Sequence, residues 1–345
     1  MNLETSVRKF PMRKPKGHAP MVQRYSSELE ESVRDVRVAV FGKQSASGRA
    51  KDFIELAHAV LDGEHRPAHF DFARFTDPEG YINTFVVAYW LAPDTFSHWR
   101  SGFDQWWASH DATVLDYGLW FETFSVPTPY RETIAFKEYI RGLSACPYSK
   151  IKPMDESAYW GAARDRFAAS AYDTLGPTEN MSLEPVPDRQ TFGQNLRVTR
   201  FPKNLCMIRS GVSWEACGNE QLQSYRKNLA PKLDAGMDFL RKNPTETGCA
   251  SLRQVTYLDE TGSEAAEAYS MGFFLSFKDL EDWAEHHPTH LAIYTRALAE
   301  RAKYQEDLEL RTYHEIYVLN EAAEFLYLNC QPKTGLLPYF QIVHV

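Results

Sequence analysis

The sequence predicts an α+β fold of two ferredoxin-like halves whose sheets face each other, of the dimeric α+β barrel type. Three observations predict it. A strand–helix–strand plan occurs twice, over residues 81–124 and 268–318. One constant offset carries Tyr89 onto Phe273, Trp90 onto Phe274 and Trp99 onto Trp283. Aromatic residues make up 14% of the chain, which suits a tight β core or a pocket for a flat apolar ligand.

In the first copy, Phe85 to Leu91 reads as a buried strand. Pro93 and Asp94 then open an amphipathic helix with Phe96, Trp99 and Phe103 on one face. In the second copy, Met271 to Leu275 is the strand and Ser276 to Asp279 opens the helix, with Leu280 and Trp283 inward. A further strand follows each, Leu119 to Glu122 in one and Thr312 to Glu315 in the other. There His314 takes the position of Phe121. Between the copies, Ala162 to Ala169 reads as helix and Gly176 to Gln194 as loop. Arg197–Arg200 and Leu205–Arg209 read as paired strands. Ser213 begins a helix with Trp214. Gln221 to Lys242 reads as a helix that Pro231 kinks. Without a low-complexity segment or long flexible linker, residues 1–345 read as a single domain.

The chain has 345 residues, 43% hydrophobic and 24% charged, within the range of soluble globular proteins. A net charge of −8 argues against general nucleic-acid affinity. The basic run from Arg8 to Lys16 is broken by proline and lacks an apolar core, so it reads as a wrapping arm, not a signal peptide. No stretch reaches the apolar length of a membrane helix. Cys146, Cys206, Cys217, Cys249 and Cys330 are scattered without CxxC spacing, which points to a reducing, cytoplasmic setting.

The histidines carry the functional signal. His286 and His290 have the spacing of a zinc-binding helix. Pro288 opposes that reading, because an interior proline costs about 3 kcal/mol. At a first helical position proline is welcome. One helix therefore ends at His286 and another runs from Thr289 to Tyr304. His290 falls in its first turn, where the helix dipole favours the neutral imidazole that coordinates metal. His314, on a strand, can face the same pocket as an acid or base. From spacing alone, both histidines read more readily as surface or satisfied core residues than as functional ones.

At these residues the chain resembles a known family. Trp283-Ala284-Glu285-His286-His287-Pro288-Thr289-His290, followed by Tyr313-His314-Glu315, is similar to the haem-containing aldoxime dehydratases. Tyr159-Trp160-Gly161-Ala162-Ala163-Arg164-Asp165-Arg166 resembles the family's YWG-x-x-R-[DE]-R segment. Asn204 to Gly211 with Trp214 resembles its N-[IL]-x-x-I-R-S-G-x-x-W segment. Gly236 to Arg241 and Asn329 to Gly335 match too. The landmarks run in order from Tyr81 to Gly335.

The resemblance implies a lyase that converts an aldoxime, R–CH=N–OH, to a nitrile and water. It implies a b-type haem, ferrous when active, held between sheet and helices with His290 as its axial ligand. It makes His314 the distal acid–base, Ser210 the partner of the oxime hydroxyl, and Arg166 and Glu132 supporting residues. It also implies a homodimer. Those residue types suit the chemistry, because a departing hydroxide must be protonated and a histidine titrates near neutrality. Two other functions fit a proximal histidine: a haem peroxidase or oxygenase on a related dimeric α+β barrel, and a haem sensor or carrier.

Overall fold

The computed structural model describes residues 8–319 and 322–345. After an extended arm the chain forms β1 (Arg24–Leu29), β2 (Asp35–Ser45), α1 (Ala50–Leu61), β3 (His69–Thr76), β4 (Ile82–Trp90), α2 (Pro93–Ala108) and β5 (Gly118–Pro127). Two short strands, β6 (Arg131–Ile134) and β7 (Ser149–Met154), and a one-turn helix, α3 (Ala162–Arg166), lead by a long loop to β8 (Asn195–Arg200). There follow β9 (Cys206–Ser213), α4 (Asn219–Ser224), α5 (Ala230–Lys242), α6 (Pro244–Thr247), β10 (Cys249–Leu258) and β11 (Glu264–Phe274). Then come α7 (Phe277–His286), α8 (Pro288–Tyr304), β12 (Arg311–Val318), β13 (Ala323–Leu328) and β14 (Gln341–His344).

Twelve strands form one antiparallel sheet in the order β14-β8-β13-β5-β2-β4-β3-β10-β11-β9-β12-β6, and β1 and β7 form a separate ribbon. One connectivity appears twice in it, in β2 to β5 and in β9 to β12. In each, the last strand lies beside the first, the first beside the third, and the third beside the second.

Strand alternation sorts the side chains into layers. On β4, Val86, Ala88 and Trp90 pack with Phe53 of α1 and Trp99 and Phe103 of α2. Phe85, Val87 and Tyr89 point the other way, into a core shared with the second half. On β12, Tyr313 and Tyr317 enter that shared core, while Ile316 and Val318 pack with Met237 of α5 and Phe277 and Trp283 of α7. Ring contacts cross between the halves, Phe124 with Tyr317 at 5.5 Å and Phe273 with Phe325 at 5.6 Å. Two half-sheets therefore back onto one interior, with a helix layer outside each.

The barrel expected from the sequence does not close. The edge strands β6 and β14 do not pair with each other. The β1 strand occupies the space beside β6: Tyr25 bridges to Ala135, and Thr133 Oγ1 accepts the Ser27 backbone N–H at 2.9 Å. Covering an edge in this way satisfies its backbone without closure.

Local expectations fare unevenly. Pro93 opens α2, and Ser276 Oγ caps α7 by accepting the Asp279 N–H at 3.3 Å. The Pro288 break falls where expected: α7 ends at His286, and His287 Nδ1 caps α8 by accepting the Thr289 N–H at 3.3 Å. The helix around Pro231 is bridged by a π-helical turn, Tyr225–Leu229. Proline has no N–H for the Lys227 carbonyl, so the turn widens just before it. The strands β8 and β9 do not pair with each other: β8 joins β13 and β14, and β9 joins β11 and β12. Ser213 ends β9 instead of opening a helix, and the next helix starts at Asn219.

Candidate functional site

A cavity of about 340 Å³ lies between the second half-sheet and its helices α5, α7 and α8. The corresponding space in the first half is filled. There Phe121 packs its ring 4.3 Å from Phe103, and Trp99 lies 5.2 Å from Phe103. His314, at the position matched to Phe121, instead opens onto the cavity.

The cavity floor is one pleated face. Register sets Ile134, His314, Ser210 and Ser270 in a row across β6, β12, β9 and β11. Ile208, Leu252 and Ile316 fill the floor beside that row. Ser210 is exposed to the cavity, whereas its neighbour Arg209 turns to the opposite face and is fully buried. There Arg209 Nη2 meets Asp71 at 2.7 Å and Nη1 meets Glu315 at 3.2 Å. This ion pair ties β9 to β12 directly behind Ser210 and His314.

Gly161, at φ 88°, turns the chain into α3, and the turn delivers Arg166 to the cavity edge. The N-terminal arm holds α3 in place: the Arg13 and Lys14 backbone N–H groups donate to the Asp165 carboxylate at 3.0 and 2.9 Å. Arg166 uses its whole guanidinium. Nη1 donates to the Glu156 carbonyl at 2.8 Å, Nε to Glu132 Oε2, and Nη2 to His314 Nε2 at 2.7 Å. Arg164 points away and pairs with Glu281 of α7.

Glu132 is fully buried. Burial alone would raise its carboxyl, but Arg166 and His314 outweigh that and hold it down at about 2. Its Oε1 lies 3.0 Å from His314 Nε2 and accepts no hydrogen bond. One nitrogen cannot accept from Arg166 and donate to Glu132 at the same time. Neutral His314 takes the Arg166 bond, and protonated His314 can turn the same nitrogen to Glu132. Burial lowers the His314 pKa, Glu132 raises it, and Arg166 and Arg24 lower it.

His290 enters from the opposite side, in the first turn of α8. Its Nδ1 donates to the Ala284 carbonyl at 2.6 Å, leaving the Nε2 lone pair free. Burial pushes its pKa down to about 4, so the ring is neutral near pH 7. Trp283 stands edge-on to it at 4.8 Å and Trp160 lies at 6.3 Å. Among the described residues, no group of three His, Cys, Asp or Glu side chains could hold a bare metal ion. A single neutral imidazole over an apolar cavity fits a metal that brings its own equatorial ligands.

The structure thus gathers His290, His314, Ser210 and Arg166 around one cavity, with Glu132 behind Arg166. Arg24 and Arg301 also line it, and neither stands in a recognisable motif. They lie far apart in the chain, and nothing in their local sequence marks them. The aromatic flanks of His290 were in view within the motifs that hold Trp160 and Trp283. Among the described residues, no helix is long and apolar enough to cross a membrane.

A family model described as haem-containing dehydratase matches residues 39–336. The phenylacetaldoxime dehydratase of Bacillus sp. (strain OxB-1) is 32% identical over 337 residues, 96% of this chain and 95% of the relative. An aliphatic aldoxime dehydratase of a Pseudomonas species is 33% identical over 348 residues, 97% of this chain and 96% of the relative. The crystal structure of an aldoxime dehydratase in complex with butyraldoxime superposes with a TM-score of 0.86 at 28% identity, over 96% of this chain and 93% of that one.

Proposed function

The chain belongs to the haem-containing dehydratase family, and on that premise we propose that it is a lyase converting aldoximes, R–CH=N–OH, to nitriles and water. The observation that carries this reading is the row of His314 and Ser210 on the cavity floor, facing the free Nε2 of His290. The Bacillus and Pseudomonas relatives bear names for this reaction, and the butyraldoxime complex supports the substrate class.

Haem on His290 would supply, in its ferrous state, electron density at the oxime nitrogen, which weakens the N–O bond. The remaining steps fall to side chains. Ser210 donates a hydrogen bond to the oxime oxygen and holds it beside His314, a positioning effect worth much of the rate. Hydroxide leaves poorly, so His314 protonates that oxygen as N–O breaks. We assign the donated proton to Nδ1, because Nε2 is engaged in either protonation state, by Arg166 when bare and by Glu132 when protonated. Nε2 keeps its own proton through this step, donated as a hydrogen bond to Glu132, so the emptied Nδ1 can then take the carbon-bound hydrogen. The two transfers balance: one proton leaves in water and one returns to His314. Ile134, Ile208 and Ile316 keep bulk water from competing.

The same reading extends to the architecture. The strand order within each half supports two ferredoxin-like repeats inside one domain. A peroxidase or a haem carrier would also need His290. The neighbouring hydroxyl and imidazole favour chemistry over carriage, and the Glu132 acceptor favours proton transfer. The test is nitrile formation from an aldoxime by anaerobic, dithionite-reduced protein, run beside peroxide-dependent dye oxidation. Nitrile without dye oxidation is expected. Dye oxidation without nitrile would assign a peroxidase, and neither product would leave a carrier.

A further inference from the structure

Two guanidinium groups reach this cavity without a carboxylate to balance them. Arg24 of β1 is only 4% exposed. Its Nε and Nη2 donate to the carbonyls of Ala135 at 3.3 Å and Thr312 at 2.8 Å, and its plane covers Phe136 at 4.4 Å. Those acceptors are neutral, so the charge stays uncompensated. Arg301, near the end of α8, lines the same cavity, and its side chain makes no hydrogen bond or ion pair with the described residues. The contrast within the fold is clear. Arg166 is paired with Glu132, Arg209 with Asp71 and Glu315, and Arg253 with Glu122.

Burial disfavours the charge on both Arg24 and Arg301, and Arg301 and Arg166 disfavour it further on Arg24. A guanidinium does not shed its proton to escape such a setting. Burying a charge without a partner is costly, so an anion is the expected remedy. The roof suggests which anion. His290, Ile293, Tyr294, Ala297 and Arg301 line the cavity from one helix at helical spacing. Apolar surface therefore separates a metal-ligating imidazole from a cationic end. Haem has that order too: iron at the centre, an apolar ring around it, and two carboxylates along one edge.

On the haem reading above, we propose that Arg24 and Arg301 hold the two propionate carboxylates of the haem and so fix its rotation in the cavity. The planar fork of each arginine suits a carboxylate through paired N–H donors. Arg24 would couple the cofactor to β1 and to the Thr312 backbone, two residues from His314. Arg301 would couple it to the helix that carries His290.

The test compares protohaem with its dimethyl ester, in which both carboxylates are neutral. Apoprotein is loaded with each, and release to excess apomyoglobin is followed by absorbance. The parent should lose the ester about ten- to a hundred-fold faster than the acid, the size expected for charge-assisted bonds. Arg301→Gln should release the acid about ten-fold faster and the ester at the parent rate. Arg301→Lys should restore part of the difference. Arg24→Lys keeps the charge and a donor for β1, and should narrow the preference a few-fold. Equal retention of acid and ester by the parent would overturn the proposal. So would an unchanged ratio in Arg301→Gln and Arg24→Lys. A parent that retains neither form would instead overturn the haem reading.

Discussion

His314 and Ser210 stand directly opposite each other on β12 and β9. Opposed residues of an antiparallel pair hold their Cβ atoms about 4.5–5.5 Å apart, so a hydroxyl and an imidazole share one spot. The paired Arg209 and Glu315 behind them fix that register from the interior. Backbone hydrogen bonding thus positions the two polar groups before any ligand binds.

His314→Ala should keep its haem and lose nitrile formation by about 10²–10⁴-fold, the usual range for a general acid–base. The measurement is kcat at matched haem content. Turnover near the parent rate would remove His314 from the mechanism.

Glu132→Gln should move the pH dependence in a definite direction. Burial lowers the His314 pKa, Glu132 raises it, and Arg166 and Arg24 lower it. Without the carboxylate only lowering influences remain, so His314 loses its proton at lower pH. A general acid works while protonated, and activity falls as pH rises through its pKa. The falling limb of kcat against pH should therefore shift acidward in Glu132→Gln and alkaline-ward in Arg166→Gln. Superimposable limbs in parent and variants would contradict the coupling.

Ser210→Ala should cost more activity than Arg164→Ala. Losing the hydrogen bond to the oxime oxygen costs about 1–3 kcal/mol, roughly one to two powers of ten in rate. Arg164 binds Glu281 and the Thr174 carbonyl, so its loss loosens α3 against α7 without touching the floor row. Values of kcat/KM at matched haem content decide. A larger loss for Arg164→Ala would place the oxime oxygen away from Ser210.

Arg209→Met should destabilise the fold. It leaves Asp71 and Glu315 buried without their shared cation, a change that costs about 3–5 kcal/mol. Urea unfolding of the apoprotein measures it. An unchanged midpoint would mean that the pair contributes nothing to holding the strands.

Local signals made much of this site legible in the sequence. Pro288 separates α7 from α8 because proline suits a first turn and not an interior, and that placed His290 correctly. Ser210 enters only through the family resemblance, and it is the register of β9 on β12 that sets it on one face with His314, with Arg209 and Glu315 on the other. Long-range relationships were not legible. That β8 joins β13 and β14 depends on the path of the chain beyond it. The barrel stays open because Ser27 and Tyr25 cover β6 from a distant segment. Arg24 and Arg301 come together only once β1 lies beside β6 and α8 crosses the second half-sheet.

The most direct test is the haem content of His290→Ala. The free Nε2 of a neutral, half-buried His290 is the axial ligand on which the haem reading rests. Parent protein should purify with one b-type haem per chain. The alanine variant, folded by circular dichroism, should retain little, and added imidazole should restore part of it. A variant that kept full haem with an unchanged ferrous spectrum would show that the iron is held elsewhere, and the account would fail at its centre.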